Sequence, residues 1–211
     1  MRATTAHRYS WGMEGATSGR AAQRRRTRNA IVAATRELVA EGKTPSIDEI
    51  AAAADVSRRT IYMYFPTVDQ LLLDATVALL SEATVDAALD PDRYGDDVIA
   101  RTDALAQKLV ELAPETLPLG RKIIRLTVDA PPASEGERRG YRRVEWIERA
   151  VEPLKARVTA QEYERLVSAL SLVLGWEAMV VLRDVRGLDS KGEEDVVRWA
   201  SRVLVEATIS D

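Results

Sequence analysis

Apolar residues recur at intervals of three and four along most of the chain, which is the spacing of amphipathic helices. Residues 21–66 hold three short helices by this pattern, and residues 67–211 hold several longer ones. Pro, Gly and Asp mark most of the joints between them. The pattern predicts an all-α protein in which an N-terminal three-helix domain precedes a larger helical domain.

The segment that ends at Phe65 has the pattern of two short helices joined by a tight turn. Ser46 and Glu49 have the spacing of a capping box, which starts a helix, and an Asp-Val-Ser sequence then interrupts that helix. Ser57 can cap the second helix, where Ile61 and Phe65 lie four residues apart and therefore on one face. The pattern predicts a helix-turn-helix.

The opposite face of the second helix carries the chemistry that a DNA major groove requires. Arginine can hold guanine through two hydrogen bonds, and hydroxyl groups suit phosphate oxygens. We expect base-edge contacts from three side chains: Arg58, Arg59 and Tyr62. Phosphate contacts are expected from four more: Thr44, Ser57, Thr60 and Tyr64. For Tyr64, packing inside the domain is the alternative.

A run of arginines precedes the helix-turn-helix. Three of them are candidate DNA contacts, either through the backbone or as an arm in the minor groove: Arg24, Arg25 and Arg28. A solvated helix face is the alternative interpretation of such a run.

These residues resemble the TetR family of bacterial transcriptional regulators. From Ile50 to Leu72 the chain follows the family pattern I-A-x-x-A-x-V-S-x-x-T-[IL]-Y-x-Y-F-x-[ST]-x-[ED]-x-L-L. The family usually has Gly where Asp55 stands, and Asp tolerates the left-handed turn conformation better than most residues. It commonly has Lys, a phosphate contact, where Val68 stands. The resemblance implies a dimeric DNA-binding repressor that a small molecule releases.

Beyond Pro66 the pattern predicts six helices, over about residues 67–89, 96–113, 120–129, 134–158, 160–186 and 193–209. The first is the expected mechanical link between the two domains. Pro114 and Pro118 are expected to break up the chain before the third helix, and Pro153 is expected to bend the fourth.

The helix over residues 160–186 is apolar nearly all the way round from Leu166 to Leu182. A membrane span is one explanation, but the run is shorter than the ~20 residues required and carries Glu177. We expect instead that one side faces its own core and the other a partner subunit. The expected dimer contacts are Leu170, Leu174, Val181, Val196, Ala200 and Val203.

The resemblance also implies an effector pocket among the middle helices. We expect it to be mostly apolar and to draw on Leu105, Leu109, Ile123, Leu126, Tyr141, Trp146, Trp176 and Met179. Simple core packing is the alternative for the aliphatic members. It is also open for Trp146 and Trp176, although an indole N–H needs a partner and often lies at a pocket wall or an interface. Glu177 is expected to pair with Arg183, Arg198 or Arg202, or else to contact the ligand.

Composition narrows the classes of function. The chain has no Cys and a single His, His7, so that a multi-histidine zinc site is excluded and a Ser-His-Asp triad would need a residue of the predicted flexible tail, residues 1–20. No Gly-rich phosphate loop is present. We therefore expect no enzyme activity, no metal and no other cofactor.

The net charge of −3 hides an asymmetry between the two ends. Residues 1–65 hold 11 Lys and Arg against 6 Asp and Glu, whereas the rest of the chain is acidic. A positive field at one end is typical of a DNA-binding domain attached to a domain with another task.

The expected function is sequence-specific regulation of transcription in the cytoplasm. The expected partners are a pseudo-palindromic double-stranded operator, a second copy of the chain and a small, largely hydrophobic effector. A helical DNA-binding dimer without small-molecule control is the alternative, and no membrane partner is expected.

Overall fold

The computed structural model describes residues 14–41, 44–128 and 140–210, and side chains from residue 23 onward. Within these ranges every regular element is helical, which confirms the all-α fold class. The helices are α1 (Glu14–Ala40), α2 (Ile47–Ala53), α3 (Arg58–Tyr64), α4 (Val68–Ala88), α5 (Pro91–Tyr94), α6 (Val98–Glu111), α7 (Ala113–Thr127), α8 (Tyr141–Ala150), α9 (Ala160–Val173), α10 (Trp176–Val180) and α11 (Ser190–Ser210). A 3₁₀ turn, Glu152–Ala156, follows α8, and a π-helical turn, Val181–Val185, follows α10.

The first helix is longer than the sequence pattern predicts. It begins at Glu14, so residues 14–20 of the expected tail are helical, and residues 1–13 lie outside the described part. Extending an existing helix by about two turns is easy because the costly nucleus is already formed. The weak apolar periodicity of this stretch gave no sign of it.

The first three helices pack around Ile31, Ile50, Ile61 and Phe65, which are all buried. The capping box predicted for α2 is present: the Ser46 hydroxyl oxygen accepts from the Glu49 N–H at 3.3 Å, and the Glu49 carboxylate accepts from the Ser46 N–H at 2.8 Å. These local bonds fix where α2 begins.

The turn between α2 and α3 depends on one residue in the left-handed region. Asp55 has φ 51°, the conformation for which the family uses Gly, and the predicted tolerance of Asp is confirmed. The Ser57 hydroxyl then caps α3 by accepting from the Thr60 N–H at 3.1 Å.

Helix α4 belongs to both cores of the molecule. In its first half, Leu71 and Ala78 belong to the same core as residues of α1 and α3, and farther along Val85 belongs to a second core with residues of α6, α8 and α9. This second core centres on buried aliphatic residues that include Leu105 and Ile147. Helix α4, the predicted link between the two domains, is therefore a single helix that contributes residues to both cores.

Two proline predictions have opposite outcomes. Helix α8 ends at Ala150 and the chain turns at Pro153, as predicted. Pro118 instead lies inside α7 without ending it, so the predicted break is wrong there. Pro118 is exposed and near the start of the helix, where losing one backbone hydrogen bond beside water costs least. The part of the predicted 134–158 helix before residue 140 lies outside the described residues.

The segment 160–185 is long and apolar enough to cross a membrane by length and composition, which is weak evidence by itself. The predicted continuous helix over 160–186 is wrong, because Leu174 and Gly175 interrupt it between α9 and α10. A broken helix exposed to lipid would leave backbone N–H and C=O groups unsatisfied. One side of the segment packs in the second core, so we interpret it as a core element.

A test of the turn uses position 55. Asp55→Val should lower the free energy of unfolding by about 1–2 kcal/mol, because a β-branched residue clashes in the left-handed conformation. Asp55→Asn is the matched control and should be nearly neutral, since Asn adopts this conformation readily. Urea denaturation measures both, and equal stability of the two variants would contradict the role given to this turn.

Candidate nucleic-acid interface and internal cavity

The outward face of α3 is formed by the residues that do not pack against the core. Ile61 and Phe65 point inward, whereas Arg59, Tyr62 and Met63 are exposed. Arg59 and Met63 lie four residues apart and so share the part of the helix opposite the core. Met63, 62% exposed, was missed by sequence reasoning that looked only for polar groups, and its spacing from Arg59 could have revealed it.

Arg58 contacts a residue of α2, Asp48. Its Nε is 3.3 Å from a carboxylate oxygen of Asp48, and both side chains are well exposed. An exposed pair of this kind contributes little and is readily exchanged for a phosphate or a base. Arg59 is therefore the arginine most directly presented outward.

The hydroxyl groups expected near phosphates lie beside the start of α3 and α2. The Ser57 and Thr60 hydroxyl oxygens are 2.8 Å apart, and Thr44 is exposed just before α2. Tyr64 differs, because it is half-buried, packs against the N-terminal core and lines an internal cavity. Its position fits the alternative role in packing.

Of the three upstream arginines, Arg28 does not lie on the surface. It is only 6% exposed, so a direct DNA contact does not fit its position. Arg24 is partly exposed, and Arg25 is exposed with its Nε 3.8 Å from the carboxylate of Glu145 on α8. Burial raises the pKa of Glu145, and the nearby Arg25 acts against that shift.

The guanidinium of Arg28 joins the DNA-binding helices to the second domain. It stacks on the Phe65 ring, 4.5 Å from the centroid, and on the Tyr141 ring, 3.9 Å from the centroid. It also donates to Asp74 of α4 at 2.8 Å. One side chain of α1 thus contacts the end of α3, α4 and α8.

Arg142 extends this contact from α8. It donates to Glu82 at 2.9 Å and to the Tyr141 hydroxyl at 2.9 Å, and it lies 3.4 Å from Asp74. Burial works to lower the pKa of Arg142, but Tyr141, Asp74 and Glu82 together outweigh it and raise the pKa above its usual value. Both arginines therefore lie in a polar cluster that closes the junction between the domains.

A cavity of about 100 Å³ lies beside this cluster. Its lining includes six of the eight residues expected in the effector pocket: Leu109, Ile123, Tyr141, Trp146, Trp176 and Met179. The other two lie elsewhere, since Leu105 is fully buried in the core and Leu126 is 41% exposed. Both residues are apolar and belong to helices that line the cavity. Which residues of a helix face the cavity depends on how the helix is rotated about its axis, and the sequence does not give that rotation.

Trp176 forms one wall of the cavity because a glycine lies against it. A Cβ on Gly120 would come within 2.3 Å of the indole ring, so the ring packs directly on the backbone of α7. The indole N–H donates to the Thr116 hydroxyl at 3.4 Å. The ring is held in place at both its face and its polar edge.

Glu177 pairs with Arg143, whose Nη1 lies 2.6 Å from the carboxylate. The expected partners were wrong, because they are engaged elsewhere. Arg183 makes a two-pronged contact with Glu193, and Arg198 makes one with Asp103, which Arg202 also approaches. Sequence proximity suggested those arginines, whereas the fold brings α8 next to the start of α10.

The residues expected at a dimer interface divide into two groups. Leu170 and Leu174 are fully buried in the core of their own chain, so they are wrong as interface residues. Val181 and Val203 are exposed, and Val196 and Ala200 are half-buried along an apolar groove between α10 and α11. On a helix that is apolar all round, the sequence alone did not distinguish the inner from the outer side.

A helix-turn-helix with an exposed second helix, at the head of a larger helical domain, defines a DNA-binding transcriptional regulator. Residues 31–75 match the model of "Bacterial regulatory proteins, tetR family", which confirms the resemblance to that family over this part of the chain. The crystal structure of a TetR transcriptional regulator from Rhodococcus sp. RHA1 is similar, with a TM-score of 0.50 and 17% identity, over 85% of this chain and 96% of that chain. At that identity the likeness concerns the fold alone. No curated protein matches the chain in sequence.

A test of the outward face compares its two arginines. Arg59→Ala should relax sequence preference at one or two base pairs and weaken binding by roughly 1–3 kcal/mol for a lost two-bond contact with guanine. Arg58→Ala should cost less, because Arg58 also faces Asp48. Binding measured against single-base operator variants distinguishes them. Uniform weakening across all sequences by Arg59→Ala would assign it to phosphate instead.

A test of the junction removes one buried carboxylate. Asp74→Asn should lower the free energy of unfolding by about 3–5 kcal/mol, because it removes the carboxylate charge that the buried guanidinium groups of Arg28 and Arg142 share. Asp86→Asn on the same helix removes an exposed pair with Arg149 and should cost at most about 1 kcal/mol. Chemical denaturation of both variants measures the difference, and a similar small loss in each would contradict the assigned role of the buried cluster.

Proposed function

We propose that the protein is a homodimeric repressor that binds a pseudo-palindromic operator and is released by a small, largely apolar effector in the cavity. In this proposal the protein acts in the cytoplasm, where the operator DNA is located. The observation that carries this proposal is the continuity from the outward face of α3, through Phe65 and Arg28, to Tyr141 at the cavity wall.

Two copies are needed because one short recognition helix reads few base pairs. A dimer that places the two α3 helices about 34–36 Å apart reaches two successive major-groove faces on one side of the duplex. The apolar groove beside α11, together with exposed Leu172, Val181 and Val203, supports the side of α9, α10 and α11 as the dimer surface. Apolar surface of this extent favours a partner over water.

Release follows from differential binding to two shapes of the protein. An effector in the cavity contacts Tyr141 and Trp146 of α8, and Tyr141 is the ring on which Arg28 stacks. Moving α8 therefore shifts α1 and α3 relative to α4 and changes the separation of the two recognition helices. The effector shifts the equilibrium only by its preference for one of the two shapes.

A DNA-binding dimer without small-molecule control is the second candidate. The cavity, which is lined by the indole rings of two tryptophans, favours the repressor that a small molecule releases. Sequencing of the DNA fragments that purified protein retains, with and without candidate effectors, decides between them. A single enriched palindrome that is lost on adding an effector supports release, an unchanged palindrome supports the second candidate, and no enriched sequence contradicts both.

A test of the dimer surface uses two residues of matched exposure. Val203→Glu on α11 should convert the dimer to a monomer, because it places a charge in an apolar contact. Leu126→Glu on α7, at 41% exposure against 42% for Val203, should leave the dimer intact. Sedimentation velocity measures both, and wild-type protein that sediments as a monomer would contradict the proposed assembly.

A further inference from the structure

The cavity is mostly apolar, but its charged wall is dominated by cations. Among the residues that the structure describes, three guanidinium groups line it, those of Arg28, Arg142 and Arg143, against one carboxylate, that of Asp74. The acids that balance the other charges, Glu82 and Glu177, contact the arginines from outside the lining. A ligand in this cavity therefore meets more positive than negative groups.

The three arginines are not equally engaged. Arg28 is held between two rings and bonded to Asp74, and Arg142 contacts Glu82, Asp74 and the Tyr141 hydroxyl. Arg143 has one carboxylate partner among the described residues, Glu177, and its buried Nε–H has no acceptor there. A buried donor without an acceptor is costly, so a ligand oxygen that reached this N–H would be stabilised there.

Two glycines bring the backbone close to this guanidinium. A Cβ on Gly175 would come within 1.8 Å of the Arg143 Nη1, and a Cβ on Gly140 would come within 3.1 Å of its Nη2. Both glycines also line the cavity. The guanidinium is therefore confined at the cavity wall, and it is oriented before any ligand arrives.

The carboxylate partner is easier to move than the arginine. The Arg143 side chain is 18% exposed, whereas that of Glu177 is 38% exposed. Glu177 can therefore turn toward water if another carboxylate replaces it, while Arg143 remains in place. An arginine can donate two parallel hydrogen bonds to one carboxylate. Among the bonds described, Arg143 donates only one to Glu177, through Nη1.

From these observations we propose that the effector is a small carboxylic acid, whose carboxylate binds Arg143 in exchange for Glu177. The cavity as a whole is mostly apolar and has a volume of about 100 Å³, which suits a compact body of roughly one ring; an apolar cavity of about 150 Å³ holds benzene. The inference rests on the proposed function and adds to it the chemical class of the effector.

The exchange also connects the cavity to the surface proposed for dimerisation. Glu177 lines the apolar groove between α10 and α11 as well as contacting Arg143. When the ligand carboxylate replaces it, the Glu177 carboxylate loses its contact with Arg143 beside that groove. A change in the charged contacts next to an apolar surface changes the packing of the two subunits.

The test uses two pairs of probes that share a shape and differ in charge: benzoate with benzamide, and isovalerate with isovaleramide. Calorimetry and tryptophan fluorescence on the full-length protein at pH 7 measure their binding. Each carboxylate should bind at least tenfold more tightly than its amide. Equal affinity within the pairs, or no binding by any of the four compounds at millimolar concentration, overturns the inference.

Variants of the ion pair sharpen this test by giving effects of opposite sign. Arg143→Met should weaken carboxylate binding at least tenfold and remove the difference within each pair. Glu177→Gln should tighten carboxylate binding several-fold, because it removes the competing group. Arg157→Met, which removes an exposed arginine outside the cavity lining, is the matched control and should change nothing.

The outcomes separate this inference from the proposed function. If Arg143→Met fails to fold, the comparison of wild type with Glu177→Gln still decides, and unchanged or weaker carboxylate binding by Glu177→Gln overturns the exchange. Amides that bind as well as acids leave an effector cavity in place and remove only its acid specificity. A protein that retains no DNA contradicts the proposed function whatever the acids do.

Discussion

A buried guanidinium, that of Arg28, determines how the two halves of this molecule are held together. Its charge cannot be left unpaired inside the protein, because the desolvation penalty is several kcal/mol. It is met by the carboxylate of Asp74 on one edge and by the rings of Phe65 and Tyr141 on its faces. These partners come from three different helices or helix ends, so each of them is fixed relative to α1.

Because the buried charge of Arg28 must stay paired, a movement on one side of the contact between the two domains is transmitted to the other side. Asp74 is shared by Arg28 and Arg142, and Arg142 also bonds to Glu82 and Tyr141. Residues that share charged partners do not move independently. Tyr141 is part of this cluster and of the cavity wall, which gives the proposed effector a physical route to the recognition helix.

The second domain combines a packed inner side with an apolar outer side. Helix α9 and the segment after it bury Leu166, Leu170 and Met179 in their own core, while Leu172 and Val185 remain exposed. The interruption at Gly175 serves the interior, since it lets Arg143 approach the backbone and reach Glu177. The proposed dimer surface and the cavity are therefore two sides of one short stretch of chain.

The sequence by itself determined the features that depend on near neighbours along the chain. The capping box of Ser46, the cap at Ser57, the left-handed Asp55 and the direction of Ile61 and Phe65 follow from residue types at fixed spacing. Only the tertiary structure decided what depends on helix rotation and long-range pairing. In the folded structure Arg28 is buried, Leu126 is exposed and Leu170 lies in the core. Glu177 forms its ion pair with Arg143. Periodicity marks an apolar residue without saying which neighbour it meets, and a charge finds its partner only when distant helices are packed together.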